Sequence, residues 1–180
     1  REAPELSQPT DHGPVVELDL LSAATGWLLF LATVLLVGSI VARVFVMPVA
    51  VGAAEADWLN RRVAGPGLLG TLLLPPALGL VFYRQLAEFR DPFAPWTEDA
   101  ALLLGSSWGG SFKMACVAAL VARVGMVVAR RGPTWAWALA GLAAVAVSAF
   151  PGLTGHAAGS DVPTALTLPA DALHVLAAGA

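Results

Sequence analysis

Four long apolar stretches alternate with short charged ones along this chain, and that alternation predicts its architecture. Leu20 to Ala42 carries no charged residue and is long enough for the ~20 apolar residues a helix needs to cross a bilayer. Arg43 and then Pro48 close it. Val49 to Arg62 mixes Glu55, Asp57, Trp58, Arg61 and Arg62 and reads as a connection at the membrane interface, where tryptophan and arginine are at home. A second span follows from Val63 to Tyr83, with Pro75 and Pro76 at its centre. Adjacent prolines remove two backbone donors and crowd the preceding turn, so a kink or break is expected there. Arg84 to Ser107 is charged again. Within it Thr97 is a candidate cap for a short amphipathic surface helix that begins with Glu98 and Asp99 and turns Leu102, Leu103 and Leu104 to the membrane. Trp108 to Ala129 makes a third span, from which Lys113 and Arg123 are long enough to snorkel to an interface. Arg130, Arg131, Gly132 and Pro133 form a tight turn before a fourth span, Thr134 to Thr154. Pro163, Pro169 and a Thr167 cap introduce a fifth helix too short to cross before Ala180, expected to be part of an element that continues elsewhere or the end of a fragment.

Composition sharpens this into a fold class. The chain is 57% hydrophobic and 13% charged, against ~45–50% and ~25% for soluble domains. The expected fold is therefore all-α, a polytopic transmembrane helical bundle with four full spans, a partial fifth helix and a short surface helix. Residues 1–19 read as a flexible extracytoplasmic tail that settles into an approach segment at Val15, and 20–180 as the transmembrane helical domain. A net charge of −3 and the lack of a basic run exclude a nucleic-acid partner. The single cysteine, Cys116, has no partner for an internal disulfide. The opening residues show no basic segment followed by an apolar one, so either a leader has been removed or the first span directs insertion.

Basic residues give an orientation. Arg43, Arg61, Arg62, Arg123, Arg130 and Arg131 collect at one side of the membrane, against Arg1, Arg84, Arg90 and Lys113 at the other. The positive-inside rule puts the first group in the cytoplasm and the N-terminus outside. His12, His156, His174, Met114 and Cys116 then fall at the outer end.

An ionisable side chain at membrane depth is costly, so it marks a functional site by default. His174 follows Asp171 by three residues and shares its helix face, a spacing in which the carboxylate can fix the imidazole tautomer for a metal. His156 stands just past the fourth span. Imidazole with thioether or thiolate suits copper, Cu(I) above all, and Met114 and Cys116 are the nearest soft candidates. Residues two apart on a helix point to different faces, so at most one of these joins a shared site. The competing readings are plain ones. His156 serves as an interfacial hydrogen-bonder, Met47, Met114 and Met126 as filler or lipid-facing residues, and Trp108-Gly109-Gly110-Ser111 as a close-packing surface. No nucleophile elbow, His-Glu-x-x-His or Cys-x-x-Cys is present, so no enzymatic activity is expected.

Gly155-His156-Ala157 at the end of one span, followed by Ala170-Asp171-Ala172-Leu173-His174 at the start of the next, resembles the CopD-like bacterial copper-resistance and copper-uptake membrane proteins. A first span ending in Arg and Pro, and a leucine-rich segment leading through SSWGGSFKM into the third, agree with it. The resemblance implies a multi-pass inner-membrane bundle that binds copper at its outer face and works with a small periplasmic copper carrier. It implies His156 and His174 as metal-facing residues, with Asp171 in support. Two alternatives stand beside it. His156 and His174 could be axial ligands of a haem b, or the chain could be an accessory structural subunit of a larger membrane complex.

Overall fold

The computed structural model describes residues 13–47, 56–154 and 177. It is all-helical, with no strand among the described residues. Helix α1 runs Gly13–Val41 and continues through a π-helical turn, Ala42–Val46. Helix α2 is Ala56–Phe89, α3 Trp96–Gly105, α4 Ser107–Ala129 and α5 Thr134–Thr154. Four of these are long and apolar enough to cross a membrane: Leu20–Val46, Asp57–Phe89, Ser107–Ala129 and Thr134–Leu153. The chain is a multi-pass membrane protein. Helices are the solution here because a backbone in lipid must satisfy its polar groups internally.

The third and fourth spans lie where the sequence puts them, bracketed by Ser106 and by Gly132, whose φ of +103° closes the turn. Three expectations change. The approach segment expected from Val15 is helical and begins at Gly13, as the apolar run of α1 propagates helix back through Val15 and Val16. The connection expected up to Arg62 is helical from Ala56, so Trp58, Asn60, Arg61 and Arg62 occupy the first turns of α2. Pro75 and Pro76 do not break α2, which passes through both and through Pro66 as one helix. All three prolines are exposed, so their rings crowd no neighbouring helix.

The bundle is built by two tight pairs, α1 with α2 and α4 with α5, joined chiefly by α2 against α4. Both pairs close over small residues, as expected when lipid offers no hydrophobic drive between helices. A Cβ on Gly70 would come within 3.0 Å of the Ala32 carbonyl oxygen and the Leu36 nitrogen, so α1 and α2 touch there backbone to backbone. Between α4 and α5 the buried faces are Ala115, Ala118, Ala122 and Ala129 against Ala136, Ala140 and Ala144. Large side chains such as Trp27, Leu72, Leu120 and Leu142 form the exposed, lipid-facing sheath.

At one end lie the aromatic rings of Phe82, Trp108, Phe112 and Phe150, with Trp108 stacked on Phe112 at 5.2 Å. Helix α3 docks here. Pro95, not Thr97, stands at its N-cap, and Leu103 turns inward while Leu102 stays exposed. Ser106 joins α3 to α4. Its hydroxyl donates to the Leu103 carbonyl (2.6 Å) and accepts from the Gly109 N–H (3.2 Å), and Gly109 has no room for a Cβ against the Leu103 and Leu104 carbonyls. Trp96 pins the other end of α3, stacked on Tyr83 and covered by the Arg90 guanidinium at 4.5 Å. Those ring contacts stabilise docking by about 1 kcal/mol. Trp96→Ala should speed limited chymotryptic cleavage at the exposed Phe93 roughly fivefold by the same estimate. Equal cleavage rates would show that Trp96 does not hold the segment.

Candidate functional site

His156, His174 and Asp171, the centre of the expected metal site, lie outside the described residues, as does His12. Met114 is described. It stands on α4 in the half of the bundle that carries the aromatic rings, 69% exposed. It lines a cleft of about 610 Å³ between α4 and α5 with Ser107, Ser111, Ala146, Phe150 and Leu153. Cys116, two residues on, faces the other way. It is half-buried in a cleft of about 380 Å³ between α2 and α4, beside Pro75, Gly79 and Arg123. The two sulfurs therefore do not share a site, as helical geometry requires. Among the described residues no three His, Cys, Asp or Glu side chains come together as a metal-binding group.

Asp99 stands in the first turn of α3, as expected of a helix-start acid, but it is also turned inward. It is 3% exposed and accepts the Asp91 N–H at 3.3 Å, while the Asp91 carboxylate accepts the Phe93 N–H at 2.9 Å. The pair ties down the bend between α2 and α3.

The opposite, arginine-rich end holds a polar junction that the sequence did not single out. Asn60, the chain's one asparagine, is 4% exposed on the second turn of α2. Its Oδ1 accepts from Arg43 Nε (3.0 Å) and Trp137 Nε1 (3.1 Å), and its Nδ2 donates to the Ala129 carbonyl (2.9 Å). One side chain thereby joins the π-helical turn after α1, the end of α4 and the start of α5. That turn carries Arg43, and a single π turn inside a helix redirects the side chains along it. Arg123 also differs from expectation. Rather than only snorkelling, its guanidinium donates to the Leu68 carbonyl (3.3 Å) and to Thr71 Oγ1 (3.4 Å), bracing α4 against α2.

Compared with protein-family models, curated proteins and solved structures, the chain matches none.

Proposed function

We propose that this is a copper-binding membrane protein that takes up and passes on Cu(I) at the end of the bundle opposite the arginines. Copper is its cargo. His156 and His174 would hold the ion, Asp171 would orient the His174 ring, and Met114 would add a thioether. The observation that carries the reading is Met114 itself. A large apolar side chain stands exposed in the α4–α5 cleft beside Leu153, and in the sequence His156 follows three residues after Leu153. A thioether and an imidazole at one end of a bundle are the ligand types that copper favours.

In this reading the arginine-rich end faces the cytoplasm of a bacterial inner membrane, the N-terminus lies outside, and a periplasmic carrier exchanges the ion. The same α4–α5 cleft favours a second reading, an accessory subunit that docks a helix of a larger complex against Ala146 and Ser111. Elemental analysis and an optical spectrum of the purified chain, loaded with Cu(I) under reducing conditions, separate these. Bound copper should be lost in His174→Ala, weakened about tenfold in Asp171→Asn, reduced in Met114→Leu and unchanged in His12→Ala. A wild-type chain that stays metal-free defeats the copper proposal, and a Soret band would select haem b.

A further inference from the structure

Four arginines converge on one cleft at the end of the bundle away from Met114. Arg61 on α2 and Arg123, Arg130 and Arg131 on or just after α4 line a space of about 780 Å³ between the two helices. The two helices run antiparallel, so the start of α2 meets the end of α4. Residues 61, 65, 68, 69 and 72 form one stripe on α2, as 123, 127, 130 and 131 do along α4, at helical spacing. Arg61, Arg130 and Arg131 are exposed at the rim, and Arg123 lies about two turns deeper, roughly 10 Å along the axis. Below the rim the walls turn apolar, with Leu69, Leu72 and Val127 exposed.

None of these arginines is paired with a carboxylate among the described residues, where the one ion pair is Arg84 with Glu88 at 3.6 Å. Arg123 is held against α2 by its bonds to Leu68 and Thr71 and keeps further N–H donors on its fork. Gly65 leaves the cleft open, since a Cβ placed there meets nothing within 4 Å.

A cationic rim above an apolar trough, at the end of membrane-spanning helices, matches an amphiphile with an anionic head and hydrocarbon tails. We propose that this cleft is a binding site for an anionic phospholipid, whose phosphodiester lies between Arg61, Arg130 and Arg131 while an acyl chain runs along Leu69, Leu72 and Val127. Guanidinium forks bind phosphate oxygens in pairs, which a zwitterionic lipid, carrying its own ammonium, matches less well. Basic pockets between transmembrane helices are a recognised physical route to lipid selectivity. The site is independent of the copper reading.

Native mass spectrometry of the detergent-purified full chain, titrated with dioleoyl phosphatidylglycerol or dioleoyl phosphatidylcholine, tests it. Phosphatidylglycerol should be retained about tenfold more tightly than phosphatidylcholine. The double variant Arg130→Gln/Arg131→Gln should lose about tenfold or more of that affinity, at the scale expected per basic residue near a charged surface. Gly65→Phe should block retention by filling the trough, with the lipid-free melting temperature unchanged. Arg84→Gln/Arg90→Gln, at the other end, should retain the lipid as wild type does. Equal retention of the two lipids, or undiminished binding in Gly65→Phe, overturns the proposal. Displacement of phosphatidylglycerol by millimolar inorganic phosphate overturns it too, by showing a site for a free anion.

Discussion

Asn60→Ala should unfold well before the parent protein, losing about 2 to 3 kcal/mol of stability. The substitution removes the acceptor for Arg43 Nε and Trp137 Nε1 and the donor to the Ala129 carbonyl at once. A single interhelical hydrogen bond in a bilayer averages only ~0.6 kcal/mol, because the separated helices find other partners. The loss here is larger because Trp137 is 3% exposed, so its indole N–H is stranded where water does not reach, while the buried Ala129 carbonyl is left with the Gly132 N–H (3.0 Å) alone. Asn60→Asp is the informative companion. Its carboxylate still accepts from Arg43 and Trp137 but cannot donate to Ala129, so it should fall between the two. Thermal unfolding in matched detergent checks both, and an Asn60→Ala midpoint equal to that of the parent would show that the junction contributes nothing.

Gly70→Leu should also be strongly destabilising, by about 3 kcal/mol or more. What its side chain meets is the α1 backbone at Ala32 and Leu36, not a flexible side chain that could swing away. The pair of helices must separate, and the loss spreads along their whole contact. Gly79→Leu is the matched control, since a Cβ on Gly79 meets nothing within 4 Å. It adds the same side chain to the same helix where the α2–α4 cleft leaves room for it. Melting temperature and the monodisperse fraction after solubilisation should fall for the first and hold for the second. Equal behaviour of the two would mean that α1 and α2 are not in the close contact described.

The spans themselves were legible because charges bracket them. Ser106 and the Arg130-Arg131-Gly132-Pro133 turn delimit α4, and the same turn starts α5 where the apolar pattern does. The start of α2 was not, because Trp58, Arg61 and Arg62 suit an interface equally well as a loop or as a helix. Of the kink or break expected at Pro75-Pro76, the break does not occur: proline's local cost is visible in sequence, but whether the surrounding helix carries through it is not. Of the expected metal residues, the divergence of Met114 from Cys116 followed from their spacing alone, while His156, His174 and Asp171 lie outside the described residues. Asn60 could not be read. Its partners stand at positions 43, 129 and 137, and only the packed bundle brings them together. The arginine cleft was missed because each arginine, taken singly, has a sufficient explanation as an interface anchor.

The alanine faces of α4 and α5 have a thermodynamic consequence. A methyl group has no rotamers to surrender, so this contact forms without the conformational penalty that leucine or methionine would incur on being fixed. Its enthalpy comes from close van der Waals approach along the whole length. With so little side-chain entropy to regain on parting, warming favours separation of this pair less than it would that of one closed by long, flexible residues.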